Sequence, residues 1–148
     1  MSEVEQFKIW YNIGMIEINN LTRFRVDKKL FTGIAKKVLK GENKETKTLS
    51  LAFVNKEEIK KLNKKYRGKN KPTDVLAFGE NPKSEIRNPK IFGLGEIVIC
   101  PDMVKEKEED IRLVFIHGIL HLLGYDHEKS KAEEIKMQSK EDFYLKKI

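Results

Sequence analysis

The sequence predicts an α+β fold in which helices pack on a mixed four-stranded sheet. Three observations lead there. Apolar runs of strand length alternate with amphipathic segments of helix length in the first half of the chain. Two strand-like runs follow one another between residues 74 and 100, and two helical segments cluster at the end. The predicted order is therefore β-α-β-α-β-β-α-α. At 148 residues the expected organisation is a single domain over 1–148 with one sizeable core. Residues 1–13 form an extension to which no role is assigned.

Within that extension Phe7, Ile9, Trp10, Tyr11 and Ile13 alternate roughly, as a strand or an apolar arm does. Met15-Ile-Glu-Ile-Asn19 reads as the first strand. Asp27 is placed to cap a helix running through Leu39, with Leu30, Phe31, Ile34 and Val38 inward and Gly41 after its end. Thr48 to Val54 is the second strand. Asn55 caps the next helix, with Glu58 three residues on in a capping-box pattern and Ile59 and Leu62 inward. Asp74 to Phe78 is the third strand, Asn81 to Lys90 a surface loop with two prolines, and Glu96 to Cys100 a fourth strand stopped by Pro101. A charged segment, Lys105 to Asp110, leads into an apolar helix that Asp110 caps. Ser130 to Leu145 is a last amphipathic helix, with Ile135, Met137, Gln138, Phe143 and Leu145 near its inner side.

Composition narrows the classes. No apolar run has membrane-spanning length and no secretory signal pattern precedes the domain, so a cytoplasmic protein is expected. The lone cysteine, Cys100, excludes an internal disulfide, fits a reducing compartment, and reads as a buried strand residue. Thirty Lys and Arg against 23 Asp and Glu leave a net charge of +7, which favours polyanions such as nucleic acid. Charged residues make up 36% of the chain, however, and a Lys/Glu-rich surface of mixed sign is also the pattern of heat-adapted proteins.

All three histidines fall within His117-Gly-Ile-Leu-His121-Leu-Leu-Gly124-Tyr-Asp-His127. A lone histidine on an apolar helix is usually a satisfied core residue; three at this spacing need another cause. Positions i and i+4 lie on one helix face about 6 Å apart along the axis, so His117 and His121 can present two imidazoles to one ion. Gly124 can adopt the left-handed conformation that ends a helix and lets the chain bring His127 back. Ile111, Leu113 to Ile116, Ile119, Leu120, Leu122 and Leu123 make this helix apolar nearly all round, hence buried. Three neutral imidazoles with a fourth position open describe a catalytic rather than a structural zinc site, although another divalent transition metal suits the same ligands.

The densest basic stretch runs from Lys56 to Lys71 and includes Lys60, Lys61, Lys64, Lys65, Arg67 and Lys69. Either it is a solvated helix face or it meets RNA phosphates. The loop that follows carries Arg67, whose guanidinium can fork two hydrogen bonds onto a phosphate. Tyr66 either stacks on a base or packs in the core.

The histidine spacing is that of the metzincin proteases, which makes the helix a zincin-like metal helix. Those enzymes need a glutamate directly after the first histidine as general base; here that residue is Gly118. The eleven-residue histidine block resembles the signature of the YbeY family of endoribonucleases. So does Leu62-Asn-Lys-Lys-Tyr-Arg67-Gly-Lys-Asn-Lys-Pro-Thr-Asp74-Val-Leu-Ala-Phe78, and Gly95-Glu-Ile-Val-Ile99 fits that family's last strand. The likeness spans about residues 14–148; Ala77 departs from it, standing where serine is common.

The resemblance implies a zinc-dependent, single-strand-specific endoribonuclease acting on the ribosome's RNA, in 16S rRNA 3′-end maturation and ribosome quality control. It implies His117, His121 and His127 as metal ligands and Arg67 as the functional arginine. Asp126 is a candidate to orient an imidazole or to cap the helix end. Asp74 is placed to hold Arg67 or cap a turn. Two other readings stay open: a metalloprotease, against which Gly118 argues, and a non-catalytic ribosome-binding module stabilised by its zinc.

Overall fold

The computed structural model describes residues 14–79 and 93–148. The expected arm within 1–13 and loop at 81–90 lie outside them. Four strands, β1 (Ile16–Asn20), β2 (Thr48–Phe53), β3 (Val75–Gly79) and β4 (Gly93–Ile99), form one sheet in the order β1-β2-β4-β3. The β1–β2 and β2–β4 pairs are parallel, whereas β3 runs antiparallel to β4 and forms an edge. Five helices accompany them: α1 (Lys28–Gly41), α2 (Lys56–Arg67), α3 (Pro101–Glu106), α4 (Ile111–Leu122) and α5 (Lys131–Leu145). The mixed four-stranded sheet with helices packed on it is as the sequence predicts.

Period-2 alternation assigns the two faces of the sheet. Leu49, Leu51 and Phe53 of β2, with Ile97 and Ile99 of β4, point into the main core beneath α1, α4 and α5. Leu76 and Val98 point the other way, against Ile59 of α2 and Cys100. Ile97 to Cys100 is an unbroken apolar run because this inner strand is covered on both faces. In the main core Phe31 meets Phe53 and Phe115 edge to face, with ring centroids 5.1 and 5.5 Å away. Near its start β4 carries one extra residue between the partners of Thr48 and Leu49, and Gly95, at φ +147°, sits where a Cβ would overlap the Phe78 carbonyl oxygen.

Three helix starts are capped as read, and Ser130, read only as the start of the last helix, caps it as well. Asp27 accepts from Leu30 N–H, Asn55 from Glu58 N–H, Asp110 from Arg112 N–H and Ser130 from Glu133 N–H. Three expectations need correction. Pro101 opens α3 rather than merely stopping β4, since its ring suits a first helical turn and its missing N–H is not needed there. Gly41 is the last residue of α1 rather than a residue after its end; a side chain there would collide with the Tyr144 ring. On α5 the buried residues are Met137 and Tyr144, while Ile135 and Phe143 are about half exposed and Gln138 is exposed. The inward stripe of α5 is thus Met137, Glu141, Tyr144, and the glutamate in it hid the periodicity.

Candidate metal centre

Phe115, Ile116, Ile119 and Leu120 anchor α4 against the sheet with essentially no exposure. That leaves His117 and His121, one turn apart, on the remaining face. The helix ends at Leu122, and Gly124 takes φ +101° as the chain reverses. Backbone bonds from Gly124 N–H to His121 O and from Tyr125 N–H to Leu120 O tie the turn down. His127 returns to the other two rings. The three ring centroids form a near-equilateral triangle with sides of 5.1, 5.0 and 5.2 Å. One nitrogen from each ring can be chosen so that all lie within 4.8 Å of one another.

The donors suit a metal ion. Burial, then the neighbouring His117 and His127, push the His121 pKa down against the pull of Asp126, which keeps that imidazole neutral and its lone pair available. Nδ1 of His127 is buried with no hydrogen-bond partner among the described residues, the state of a group that needs a partner from outside the chain. His117 donates from Nδ1 to Glu141 Oε1 at 2.6 Å. This carboxylate was not singled out in the sequence. Its signal was a charged residue on an inward helix stripe, between Met137 and Tyr144.

The imidazoles open onto a cleft of about 730 Å³ that also exposes Arg67, Lys69, Lys71 and Lys107. Its far wall is β3 and the loop before it. Asn63, buried on α2, donates from Nδ2 to Lys71 O at 2.9 Å and so fixes that loop. Arg67 Nη2 donates to Ala77 O at 3.2 Å, setting the guanidinium over the edge strand. The fold therefore brings together Arg67, Lys69 and the three histidines. It does not bring Lys60, Lys61, Lys64 or Lys65 there; they are exposed on α2 and do not line the cleft. Lys71 and Lys107 take their place.

Asp126 accepts from Glu128 N–H at 3.0 Å and caps the turn, so the carboxylate bonded to an imidazole is Glu141. Asp74 does not hold Arg67. Its Oδ1 accepts from Thr73 Oγ1 and Val75 N–H and lies 3.4 Å from Lys107 Nζ. Tyr66 is more than half exposed, its ring edge-on to Phe78. Cys100 is buried at the end of β4, where its thiol pKa is raised by burial.

Gly118 bears on the protease reading. It is buried, and a Cβ there would stand 3.2 Å from Ile97 Cδ1 and Cγ2, so Ile97 would have to give way by a few tenths of an ångström. The carboxylate that a metzincin places after its first histidine is missing here.

Comparison with known proteins bears on the family and the fold. The family model for "Endoribonuclease YbeY" matches residues 17–148. An endoribonuclease YbeY from Aliarcobacter butzleri is 41% identical over 127 residues, covering 80% of this chain and 84% of that protein. One from Aquifex aeolicus is 43% identical over 110 residues, covering 68% and 69%. The solution structure of TM1509 from Thermotoga maritima superposes with a TM-score of 0.58 at 31% identity, covering 88% of this chain and 87% of that one.

Proposed function

Because the chain belongs to the endoribonuclease YbeY family, we propose that it cuts single-stranded RNA at the histidine cluster with one zinc ion bound. We place that cleavage in 16S rRNA 3′-end maturation and ribosome quality control, in the cytoplasm. The observation that carries this reading is the convergence of three imidazoles and the Arg67 guanidinium in one cationic cleft. When bound there, zinc supplies a Lewis acid for a phosphoryl oxygen and lowers the pKa of water.

The chain's own residues do the rest. His117, His121 and His127 hold the ion. Arg67, anchored on Ala77 O, keeps donors for the scissile phosphate and stabilises the charge that builds on it. Lys69, Lys71 and Lys107 attract the phosphates on either side. Tyr66, exposed beside Arg67 with Lys65 Nζ 5.1 Å from its ring centroid, offers an aromatic surface on which an unpaired base stacks, which favours a single strand as substrate. No described helix is long and apolar enough to cross a membrane.

The test is cleavage of an unstructured RNA by wild type, Arg67→Ala and His121→Ala, purified identically. Arg67→Ala is expected to retain zinc and lose about 10²–10³-fold in rate, the usual cost of removing one donor to a developing oxyanion. His121→Ala is expected to lose both metal and cleavage. Undiminished cutting by both variants would assign the activity to a contaminant. A zinc-loaded wild type that cuts no RNA would make the metal structural and the protein a ribosome-binding module.

A further inference from the structure

The three ligands come from α4 and the turn after it, yet the shortest polar contact at the cluster comes from elsewhere. Glu141 lies on α5, 24 residues beyond His117, and its Oε1 accepts from Nδ1 at 2.6 Å. Both side chains are largely withdrawn from water, 29% exposed for His117 and 13% for Glu141. An isolated ion pair on the surface would be weak and mobile; this one is fixed. One turn before Glu141, Met137 is 1% exposed, and one turn after it Tyr144 is 2% exposed, so the rotation of α5 about its axis is set by packing. Lys140 and Tyr144 both reach Glu42, beyond the end of α1, which fixes the helix along its length as well.

Among the described residues the other two rings have no equivalent support. Glu128 approaches His127 Nε2 only to 3.9 Å, beyond hydrogen-bonding distance, and His127 Nδ1 has no partner among the described residues. Asp126 is engaged by Glu128 N–H. A hydrogen bond at Nδ1 requires the proton there and leaves the lone pair on Nε2. A carboxylate in that role also fixes the ring plane and makes the imidazole a better donor to a metal.

We propose that Glu141 is the positioning residue of the metal centre: it holds Nδ1–H of His117, commits Nε2 to the ion, and tightens metal binding from a helix that supplies no ligand. This rests on the reading of the histidine cluster as a metal site.

The test measures metal binding by the full-length protein, not activity. Zinc affinity is obtained by competition with a chromophoric chelator for wild type, Glu141→Ala, Glu141→Gln and His121→Ala. Thermal melts of the metal-free forms run in parallel. Glu141→Ala is expected to bind zinc about 10–100-fold more weakly, the usual cost of removing such a partner. Glu141→Gln, whose amide oxygen still accepts from Nδ1–H, is expected to recover most of that loss. In wild type loaded with ¹¹³Cd, the His117 ring is expected to show cadmium coupling at Nε2 and not at Nδ1.

Zinc affinity within twofold of wild type in Glu141→Ala overturns the proposal, as does cadmium coupling to Nδ1 of His117. The cadmium spectrum needs no variant, so the test survives even if Glu141→Ala folds poorly. If wild type binds zinc no better than His121→Ala, the metal site itself fails. If wild type binds tightly and Glu141→Ala equally so, only the role of Glu141 fails.

Discussion

Glu109 and Asp74 share a hydrogen bond that pushes their pKa values apart. Burial, then the hydrogen bond and charge of Asp74, push the Glu109 pKa from 4.5 up to about 7, against Lys107 and His117, which pull it down. Asp74 moves the other way: burial raises its pKa, but the hydrogen bond from Glu109 and the charge of Lys107 outweigh that. A glutamate that keeps its proton longer when folded contributes stability below about pH 4.5 and loses it as pH rises to about 7. Metal-free wild type is therefore expected to lose more melting temperature between pH 5 and pH 8 than Glu109→Gln. Equal losses would remove the shared proton. Both proteins carry the same histidines, so the difference isolates Glu109. At this scale the histidine cluster was legible because i, i+4 spacing is local. Glu141 and Lys107 were not, because their places at the site depend on how distant elements pack.

The helices are held by contacts of two kinds, and only one can be read from sequence. Caps such as Asp27, Asn55 and Asp110 act within four residues and were legible from residue type and position. The joint between α1 and α5 was not. Glu42, 9% exposed, accepts from Tyr125 Oη at 2.5 Å, from Tyr144 Oη, and from Lys140 Nζ at 3.2 Å. Burial acts to raise its pKa, but these donors together lower it; burial, then the hydrogen bond and charge of Glu42, push the Tyr125 hydroxyl up to about 12. Glu42→Ala would leave two hydroxyls and an ammonium without their acceptor. It is expected to cost about 2–4 kcal/mol in urea unfolding. A loss below about 0.5 kcal/mol, the level of an ordinary surface substitution, would show the cluster to be ornamental. The packing of Met137 and Tyr144 sets the rotation of α5 and this joint helps to hold it, which explains why Ile135 and Phe143 were misplaced. Their apolarity suggested the inner side, but Glu141 and Tyr144 face inward instead.

For the molecule as a whole, strand count and the mixed sheet were legible from alternation and apolar runs, but strand neighbours were not. No local feature tells β4 to enter between β2 and β3, and it is this order that makes β3 an edge facing the histidines. The order also separates the lysines, and salt dependence can report it. If Arg67, Lys69, Lys71 and Lys107 alone meet phosphates, the slope of log affinity against log salt for single-stranded RNA is expected near roughly −3. A slope near roughly −6 would bring the outer lysines of α2 into the contact. Metal is expected to stabilise the fold because the unfolded chain has no assembled site. Zinc at a hundred times its Kd should raise the melting temperature by about 5–10 °C, and a chelator should reverse it. The path of the chain has a temporal side too. His117 leaves the ribosome 24 residues ahead of the carboxylate that holds it, a delay of about 1–5 s at ordinary rates of synthesis. Through that interval the imidazoles exist without their support. With the site as proposed, full metal affinity comes only after α5 has been made and has docked, so the growing chain passes the RNA that is translating it before the proposed cutting site is complete.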